Sequence, residues 1–132
     1  MQENPSYGDV IEDILQYFKD QIDYARSQGI ADEQILIDPG IGFGKTVEHN
    51  YRIIKDLRQF TLLGFPVVVG ASRKSFIGKT LDLPVGERLE GSLAVAALSI
   101  WNGAAVLRVH DVKETKEAIS MVDAIRNAGM TG

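Results

Sequence analysis

The sequence predicts an α/β fold in which parallel strands alternate with helices. Short runs rich in valine, isoleucine and leucine occur at residues 35–37, 65–70 and 104–111, and the segments between them carry apolar residues at helical spacing. No hairpin signal joins any two of these runs, so helices must serve as the connections between strands. Strands connected in this way run parallel with right-handed crossovers. The predicted order is helix, strand, helix, strand, helix, strand, helix.

The first helix and the first strand are predicted from a change in periodicity. Apolar residues recur at spacings of three and four from Val10 to Ala25, and Gly29 suits a left-handed stop just beyond them. The run ILI at residues 35–37 is apolar throughout and breaks at Asp38. A run of this kind indicates a buried parallel strand, because both faces of such a strand are covered.

A second helix and a second strand follow. The helix is predicted from about Thr46 to Phe60, and its apolar face is formed by Tyr51, Ile54 and Leu57. The β-branched run FPVVVG, residues 65–70, predicts the strand. The polar residues 72–75 come directly after it.

A long helical region, a third strand and a last helix complete the predicted elements. The helical region ends near Asn102 and Gly103, and its packing stripe consists of Leu89, Leu93, Ala96, Ala97 and Ile100. The run AAVLRVHD at residues 104–111 predicts the third strand. Asp111 with Glu114 three residues later predicts a start resembling a capping box for the last helix.

Composition excludes several classes of protein. The 132 residues are 45% hydrophobic and 24% charged, which predicts one globular domain over residues 1–132. The net charge is −4, and lysine and arginine alternate with acidic residues, so neither a nucleic acid nor an anionic membrane is an expected partner. The absence of cysteine excludes disulfides and thiolate chemistry. No signal-peptide pattern and no long apolar run is evident, so we expect a cytoplasmic protein.

Polar side chains follow all three predicted strands, at the point where each strand ends. They are Asp38 after the first, residues 72–75 after the second, and Arg108, His110 and Asp111 at the end of the third. The carboxyl ends of parallel strands share one edge of the sheet, where enzymes of this class place their sites. The sequence therefore predicts a functional site at this edge.

The segment DPGIGFGKT, residues 38–46, is similar to a phosphate-binding loop in composition but not in spacing. A P-loop requires a glycine where Pro39 stands, and Gly40, Gly42 and Gly44 do not have the spacing of a dinucleotide fingerprint. Two interpretations stay open. Either the glycines let the backbone lie beside a flat ring whose N–H groups bond Asp38, or Asp38 caps its own turn. Lys45 and Thr46 are expected to start the next helix.

The other two polar clusters also allow two interpretations each. Lys74 is either a solvated surface residue or a ligand for a carbonyl, ring nitrogen or phosphate. Arg108 and His110 alternate with Val109 and so share one face of a strand, where they could clamp a diphosphate. Alternatively, Arg108 pairs with a neighbouring acid and His110 only caps. A surface role is expected for His49, because no second ligand is spaced to join it on a metal.

Four motifs in this order resemble those of the dihydropteroate synthase family: ILIDPGIGFGKTVEHNY, PVVVGASRKSFIG, ERLEGSLA and VLRVHDVKET. The resemblance covers nearly the whole chain. It implies a partial TIM (β/α)8 barrel with three parallel strands and flanking helices, roughly strands six to eight of the barrel. A whole barrel of this kind takes about 250 residues.

The resemblance also implies an activity in folate biosynthesis. The family joins p-aminobenzoate to 6-hydroxymethyl-7,8-dihydropterin diphosphate and releases pyrophosphate with the help of Mg²⁺, for which no ligand is identified in this chain. The matching positions would divide between the substrates: Asp38, Lys74, Gly70 and Arg73 for the pterin, Phe43 and Ser75 for the aminobenzoate, and Arg108 and His110 for the diphosphate. Lys74, Arg108 and His110 would carry the catalytic weight.

A chain of this extent leaves two strand edges unpaired, so we expect a homodimer or larger assembly. We also expect the isolated chain to be inactive. Two alternatives stay open: a non-catalytic remnant or partner chain of a folate enzyme, and another pterin-binding barrel such as a methyltetrahydrofolate methyltransferase. The SRKS motif at residues 72–75 and the RVHD motif at residues 108–111 argue against the second, because methyl transfer has no diphosphate leaving group.

Overall fold

The computed structural model describes residues 7–130 and confirms an α/β arrangement. Its elements in chain order are α1 (Tyr7–Ser27), α2 (Val47–Lys55), α3 (Arg58–Thr61), β1 (Val68–Val69), α4 (Ser75–Leu81), α5 (Leu89–Trp101), β2 (Val106–Leu107) and α6 (Val112–Arg126). Short 3-10 turns lie at Asp32–Gln34 and Val85–Glu87. Within residues 7–130, no helix has both the length and the apolar composition needed to cross a bilayer.

The three predicted strand segments lie side by side and parallel, but the first is reduced to one bridge. Val68 of β1 pairs with Val106 of β2, and on the other side Ile37 bridges Val67. The predicted strand at 35–37 is therefore wrong in extent. Pro39 has no N–H to continue a ladder, and the Asp38 carboxylate turns the chain by accepting the N–H of Gly40.

The core forms between α1, the α2–α3 region and β1. The buried face of α1 consists of Val10, Ile11, Ile14, Phe18 and Ile22. The rings of Phe18 and Phe60 meet edge to face, with centroids 5.8 Å apart. Val67 and Val69 are fully buried at the sheet. Because Ile37, Val67 and Val69 belong to this core, it holds in place the edge of the sheet at which these segments end.

The predicted second helix is divided into two. Thr46 caps α2 as expected, with its hydroxyl accepting the N–H of His49 at 3.0 Å. The helix α2 ends at Lys55 with Asp56 as its C-cap, and α3 starts at Arg58. Leu57 and Phe60, on either side of the start of α3, are both fully buried.

The third long helix packs against α6 through a face shifted from the predicted stripe. Ser92, Ala96, Ser99 and Ile100 are buried in α5, whereas Leu89, Leu93 and Ala97 are half-buried. Ser92 and Ser99 were absent from the predicted stripe because that stripe was read from apolar residues alone. The predicted capping role of Asp111 is also wrong: Asp111 precedes α6, but its carboxylate bonds Arg73 and not the helix backbone.

Candidate active site at the strand ends

The structure brings Asp38, Lys74 and Arg108 together at the carboxyl ends of the three parallel segments. Arg108 Nη1 donates to Asp38 Oδ2 at 2.7 Å, and Lys74 Nζ donates to the carbonyl of Ile41 at 2.5 Å. Each residue comes from a different segment: Asp38 follows the Ile37 bridge, Lys74 follows β1, and Arg108 follows β2. We call these three residues the strand-end site.

Residues 38–44 form a tight loop beside the strand-end site. Gly40, Gly42 and Gly44 have φ angles of +74°, +89° and +60°, a region that side-chain-bearing residues rarely adopt. The N–H of Gly40 donates to Asp38 Oδ1 at 2.8 Å, and the N–H of Gly42 donates to Asn50 Oδ1 at 2.9 Å. The turn-capping interpretation of Asp38 is therefore confirmed for one carboxylate oxygen, and the other oxygen bonds Arg108.

Phe43 projects from this loop and covers Lys74. The Phe43 side chain is 71% exposed, and Lys74 Nζ lies 4.8 Å from the centroid of its ring, within cation–π range. Lys45 Nζ bonds the carbonyl of Phe43 at 3.1 Å. The exposed ring with an ammonium behind it makes an open wall for a flat aromatic ligand.

Two ammonium groups at this site have pKa values below the ordinary lysine range. Burial is the main cause for Lys74, repulsion by Arg108 adds to it, and attraction by Asp38 opposes it. Burial also lowers the pKa of Lys45, with Asp38 opposing and Lys74 adding. Three cationic side chains thus surround one carboxylate, an arrangement suited to a ligand that is anionic and also offers N–H donors.

Gly70, at the end of β1, permits a close approach by Arg108. A Cβ atom at this position would lie 2.5 Å from Arg108 Nη2. The sequence predicted that Gly70 would admit a substrate ring. The structure shows the flat guanidinium group of Arg108 against Gly70, and a side chain on residue 70 would displace Arg108 from Asp38.

Arg73 holds the loop after β1 through backbone and side chain. Its φ angle is +59°, its N–H donates to Ser92 Oγ at 2.9 Å, and its carbonyl accepts from Arg88 Nη1 at 2.9 Å. Its guanidinium group bonds both oxygens of Asp111, at 2.7 and 3.3 Å, and lowers the pKa of that carboxyl below its ordinary value. Ser75 follows as the exposed first residue of α4.

His110 and Arg108 have different partners. His110 Nδ1 lies 3.0 Å from Ser72 Oγ, which also accepts the backbone N–H of His110 at 3.3 Å. Arg108 bonds Asp38 instead. The ion pair that the sequence left open as an alternative is present, and both side chains are exposed at the same edge.

Sequence reasoning assigned no role to Arg88, Ser92 and Asn50. Arg88 and Ser92 hold the backbone of Arg73, and Asn50 holds Gly42. Arg88 and Ser92 belong to the ERLEGSLA motif, which was the sequence signal that could have identified them. His49 is 4% exposed, so the expected surface role is wrong; it packs at the start of α2, where its N–H bonds the capping hydroxyl of Thr46.

The described residues do not suit a magnesium site. Within residues 7–130, no three histidine, aspartate or glutamate side chains lie close enough together to hold a metal ion. Asp38 and Asp111 are each engaged by an arginine. Mg²⁺ prefers several oxygen ligands in octahedral geometry, which these carboxylates do not offer together.

Comparison with known proteins places this chain in a family. A family described as "Pterin binding enzyme" matches residues 1–110. Dihydropteroate synthase of Escherichia coli strain K12 is 48% identical over 97% of this chain, which covers 45% of that protein. Dihydropteroate synthase of Haemophilus influenzae is 43% identical over 97% of this chain and is covered over 46% of its length.

Solved structures similar to this chain are also dihydropteroate synthases. The crystal structure of Yersinia pestis dihydropteroate synthase matches 97% of this chain with a TM-score of 0.91 at 43% identity, and 53% of that chain is covered. The Coxiella burnetii enzyme, solved in complex with pteroic acid, matches 96% of this chain with a TM-score of 0.92 at 35% identity, and 48% of it is covered. The fold is therefore part of a TIM barrel, and this chain spans about half the length of the relatives it matches. The chain belongs to the family of pterin-binding enzymes.

Proposed function

We propose that this chain is the part of a dihydropteroate synthase that carries strands six to eight of the barrel and much of its active site. The activity is the condensation of p-aminobenzoate with 6-hydroxymethyl-7,8-dihydropterin diphosphate, which yields 7,8-dihydropteroate and pyrophosphate in folate biosynthesis. One observation carries the proposal: Asp38, Lys74 and Arg108 converge at adjacent strand ends, where a carboxylate, an ammonium and a guanidinium group meet.

The strand-end site offers complementary groups for the pterin diphosphate. A carboxylate such as Asp38 accepts paired hydrogen bonds from the amino and ring N–H groups of an aminopyrimidine. Arg108 now occupies one oxygen of Asp38. A diphosphate would compete for the guanidinium fork of Arg108 and release that oxygen for the ring. Arg108 and His110 then bind the diphosphate, and Lys74 contacts the pterin carbonyl and ring nitrogen.

The aminobenzoate would enter on the Phe43 side. Lys74 lies behind the exposed Phe43 ring, and Ser75 follows directly at the start of α4, where its hydroxyl could bind a carboxylate. Arg73 would stack near the pterin after leaving Asp111. With the substrates bound in this way, the amine of the second substrate would lie next to the carbon that bears the diphosphate.

The chemical step follows from this placement. The bond between the pterin methylene carbon and the diphosphate oxygen breaks early, and its electron pair leaves with the diphosphate. The nitrogen lone pair of the aromatic amine then attacks the ring-stabilised cation to form the new carbon–nitrogen bond, and the nitrogen releases one proton to solvent. Fixed positive charge on the leaving group is the main source of rate acceleration. Arg108 supplies this charge and His110 adds a hydrogen bond from its ring, while Asp38 and Lys74 hold the reacting carbon in place.

The proposal includes requirements that lie outside the described site. Because the chain spans about half the length of its relatives, turnover should need the remaining barrel strands. We expect the complete enzyme to require magnesium, and we assign no magnesium-dependent step to residues of this chain. A homodimer and a cytoplasmic location stay predictions from the sequence, to be checked by sedimentation and by cell fractionation.

The test uses a single polypeptide that joins this chain to the part of the Escherichia coli relative that the match does not cover. We call this polypeptide the completed enzyme. Dihydropteroate formation from both substrates is measured with Mg²⁺ and with a chelator. Turnover that requires Mg²⁺ and is lost in Lys74→Ala, but not in the exposed control Lys79→Ala of α4, is the expected result. A folded but inactive completed enzyme, or an active Lys74→Ala variant, would overturn the proposal. Turnover by the isolated 132-residue chain would overturn the requirement for the other strands.

A further inference from the structure

We infer that Asn50 is a positioning residue that sets the aminobenzoate side of the active site through the backbone of Gly42; this inference rests on the proposed function. Asn50 lies in the first turn of α2 and is 2% exposed. Its Oδ1 accepts the N–H of Gly42 at 2.9 Å, and its Nδ2 donates to the carbonyl of Thr46 at 3.1 Å. Both ends of the amide are used, which a carboxylate or a hydroxyl of similar size cannot reproduce.

The bond from Asn50 lies between two bonds made by lysine side chains. Lys74 Nζ binds the carbonyl of Ile41, one residue before Gly42, and Lys45 Nζ binds the carbonyl of Phe43, one residue after it. Because peptide units are planar, the orientation of the Gly42 N–H fixes that of the Ile41 carbonyl in the same unit. Asn50 thereby sets the direction of the carbonyl that holds Lys74.

This loop packs closely against the side chain of Lys74. A Cβ atom on Gly42 would lie 3.0 Å from Lys74 Cδ. The backbone of this loop is also intrinsically flexible, because glycines at positions 40, 42 and 44 can leave their left-handed conformations at little cost in free energy. One backbone bond within the loop, from the N–H of Phe43 to the carbonyl of Gly40 at 3.1 Å, holds it in part, and side-chain bonds add to it. Among these, the bond from Asn50 comes from a buried position on a helix.

The consequence should be selective for one substrate. Phe43 lines the aminobenzoate side, and Lys74 faces that side while it also contacts the pterin; both depend on the peptide units around Gly42. The other groups that would hold the pterin diphosphate do not depend on Gly42, because Asp38 accepts the N–H of Gly40 and bonds Arg108. Loss of the Asn50 amide should therefore raise KM for p-aminobenzoate by about tenfold and change KM for the pterin diphosphate by less than about threefold.

Three variants of the completed enzyme test the inference. Asn50→Ala removes both bonds, and Asn50→Asp keeps an acceptor for Gly42 but loses the donor to Thr46, so its KM for p-aminobenzoate should lie between those of wild type and Asn50→Ala. The control is Asn102→Ala, because Asn102 is a partly buried amide that bonds the backbone of Ile54 at 2.9 Å, away from the site. It should lower stability without changing either KM.

A purely structural role for Asn50 would lower the active fraction, and hence kcat, with both KM values unchanged; that result would overturn the inference. Hydrogen exchange of the Gly42 amide provides a readout that needs no turnover, and we expect it to be at least about tenfold faster in Asn50→Ala. Unchanged exchange would also overturn the inference. If wild type lacks turnover, the proposed function and the substrate assignment fail together, and Gly42 exchange alone decides whether Asn50 holds the loop.

Discussion

Arg108 and Asp38 lie 70 positions apart in the chain and form an ion pair of 2.7 Å across the strand ends. The pair joins the segment after β2 to the segment after the Ile37 bridge, with β1 between them. Its side chains keep 55% and 32% of their surface exposed. Both are thus accessible to a ligand, and each is preoriented by the other.

Removing this pair should matter little for stability. Arg108→Ala in the completed enzyme is expected to change the free energy of unfolding by about 1 kcal/mol or less, because solvent screens an ion pair with this exposure. Urea denaturation followed by circular dichroism measures the change, with Arg108→Lys as the charge-preserving control. A loss above about 3 kcal/mol would show that the pair is a buried structural contact and would argue against a ligand-accessible site.

Gly91 in α5 should not tolerate a methyl group. A Cβ atom there would lie 2.5 Å from Ile77 Cγ2 and 2.8 Å from Leu81 Cδ1 in α4. We expect Gly91→Ala to lower stability by about 1–3 kcal/mol despite the better helix propensity of alanine. Gly86→Ala is the matched control, since no atom lies within 4 Å of its Cβ position. Thermal unfolding that shifts equally in both variants would refute the close helix contact.

The left-handed backbone of Arg73 predicts an unusual order of stabilities. Arg73→Gly and Arg73→Ala both lose the ion pair with Asp111, but alanine keeps the conformational cost of φ +59° and glycine does not. The glycine variant should therefore melt at the higher temperature, by roughly 3 °C. Differential scanning calorimetry on the two variants checks the order. An alanine variant that melts higher would mean that residue 73 is not held in this conformation.

Lys74 should make stability depend on alkaline pH. Burial and Arg108 lower its pKa in the native state. Between that lowered pKa and the ordinary lysine pKa of the unfolded chain, about 10.4, the unfolded state binds more protons, so the native state gains stability as the pH rises. Below this window the contribution of Lys74 is unfavourable and constant.

The measurement compares wild type with Lys74→Met in the completed enzyme. The difference in unfolding free energy, wild type minus variant, should stay flat near neutral pH and rise towards the ordinary lysine pKa. Lysines that do not interact with Lys74 titrate alike in both proteins and cancel in the difference, whereas Lys45, whose pKa Lys74 lowers, adds to the rise. A flat or falling difference across the whole range would show that the ammonium is not desolvated in the native state.

Much of this fold was predictable because its signals are local. The apolar runs before Asp38, within residues 65–70 and before Arg108 gave the parallel order of the three segments, and parallel order alone brings the strand ends together. The placement of Asp38, Lys74 and Arg108 at one edge follows from that order. Thr46 was likewise identifiable as a helix cap from its residue type and position.

The rest depends on contacts between residues far apart in the chain. Asp111 has the residue type of a helix cap, but Arg73, 38 positions earlier, competes successfully for its carboxylate. Ser92 and Arg88 carry no apolar signal, yet Ser92 accepts the N–H of Arg73 and Arg88 donates to its carbonyl. The segment at 35–37 has strand-like residues, but the turn at Asp38 and Pro39 limits its pairing to one bridge.

The most direct test of the account compares two ligands in two proteins. Calorimetric titration measures the affinity of the completed enzyme and of its Arg108→Ala variant for the pterin diphosphate and for 6-hydroxymethylpterin, which lacks the diphosphate. The account predicts that wild type prefers the diphosphate ligand strongly, and that Arg108→Ala loses most of this preference, about a hundredfold, while its affinity for 6-hydroxymethylpterin stays within about threefold. An equal loss of affinity for both ligands, or an unchanged preference, would contradict the assignment of the diphosphate to Arg108.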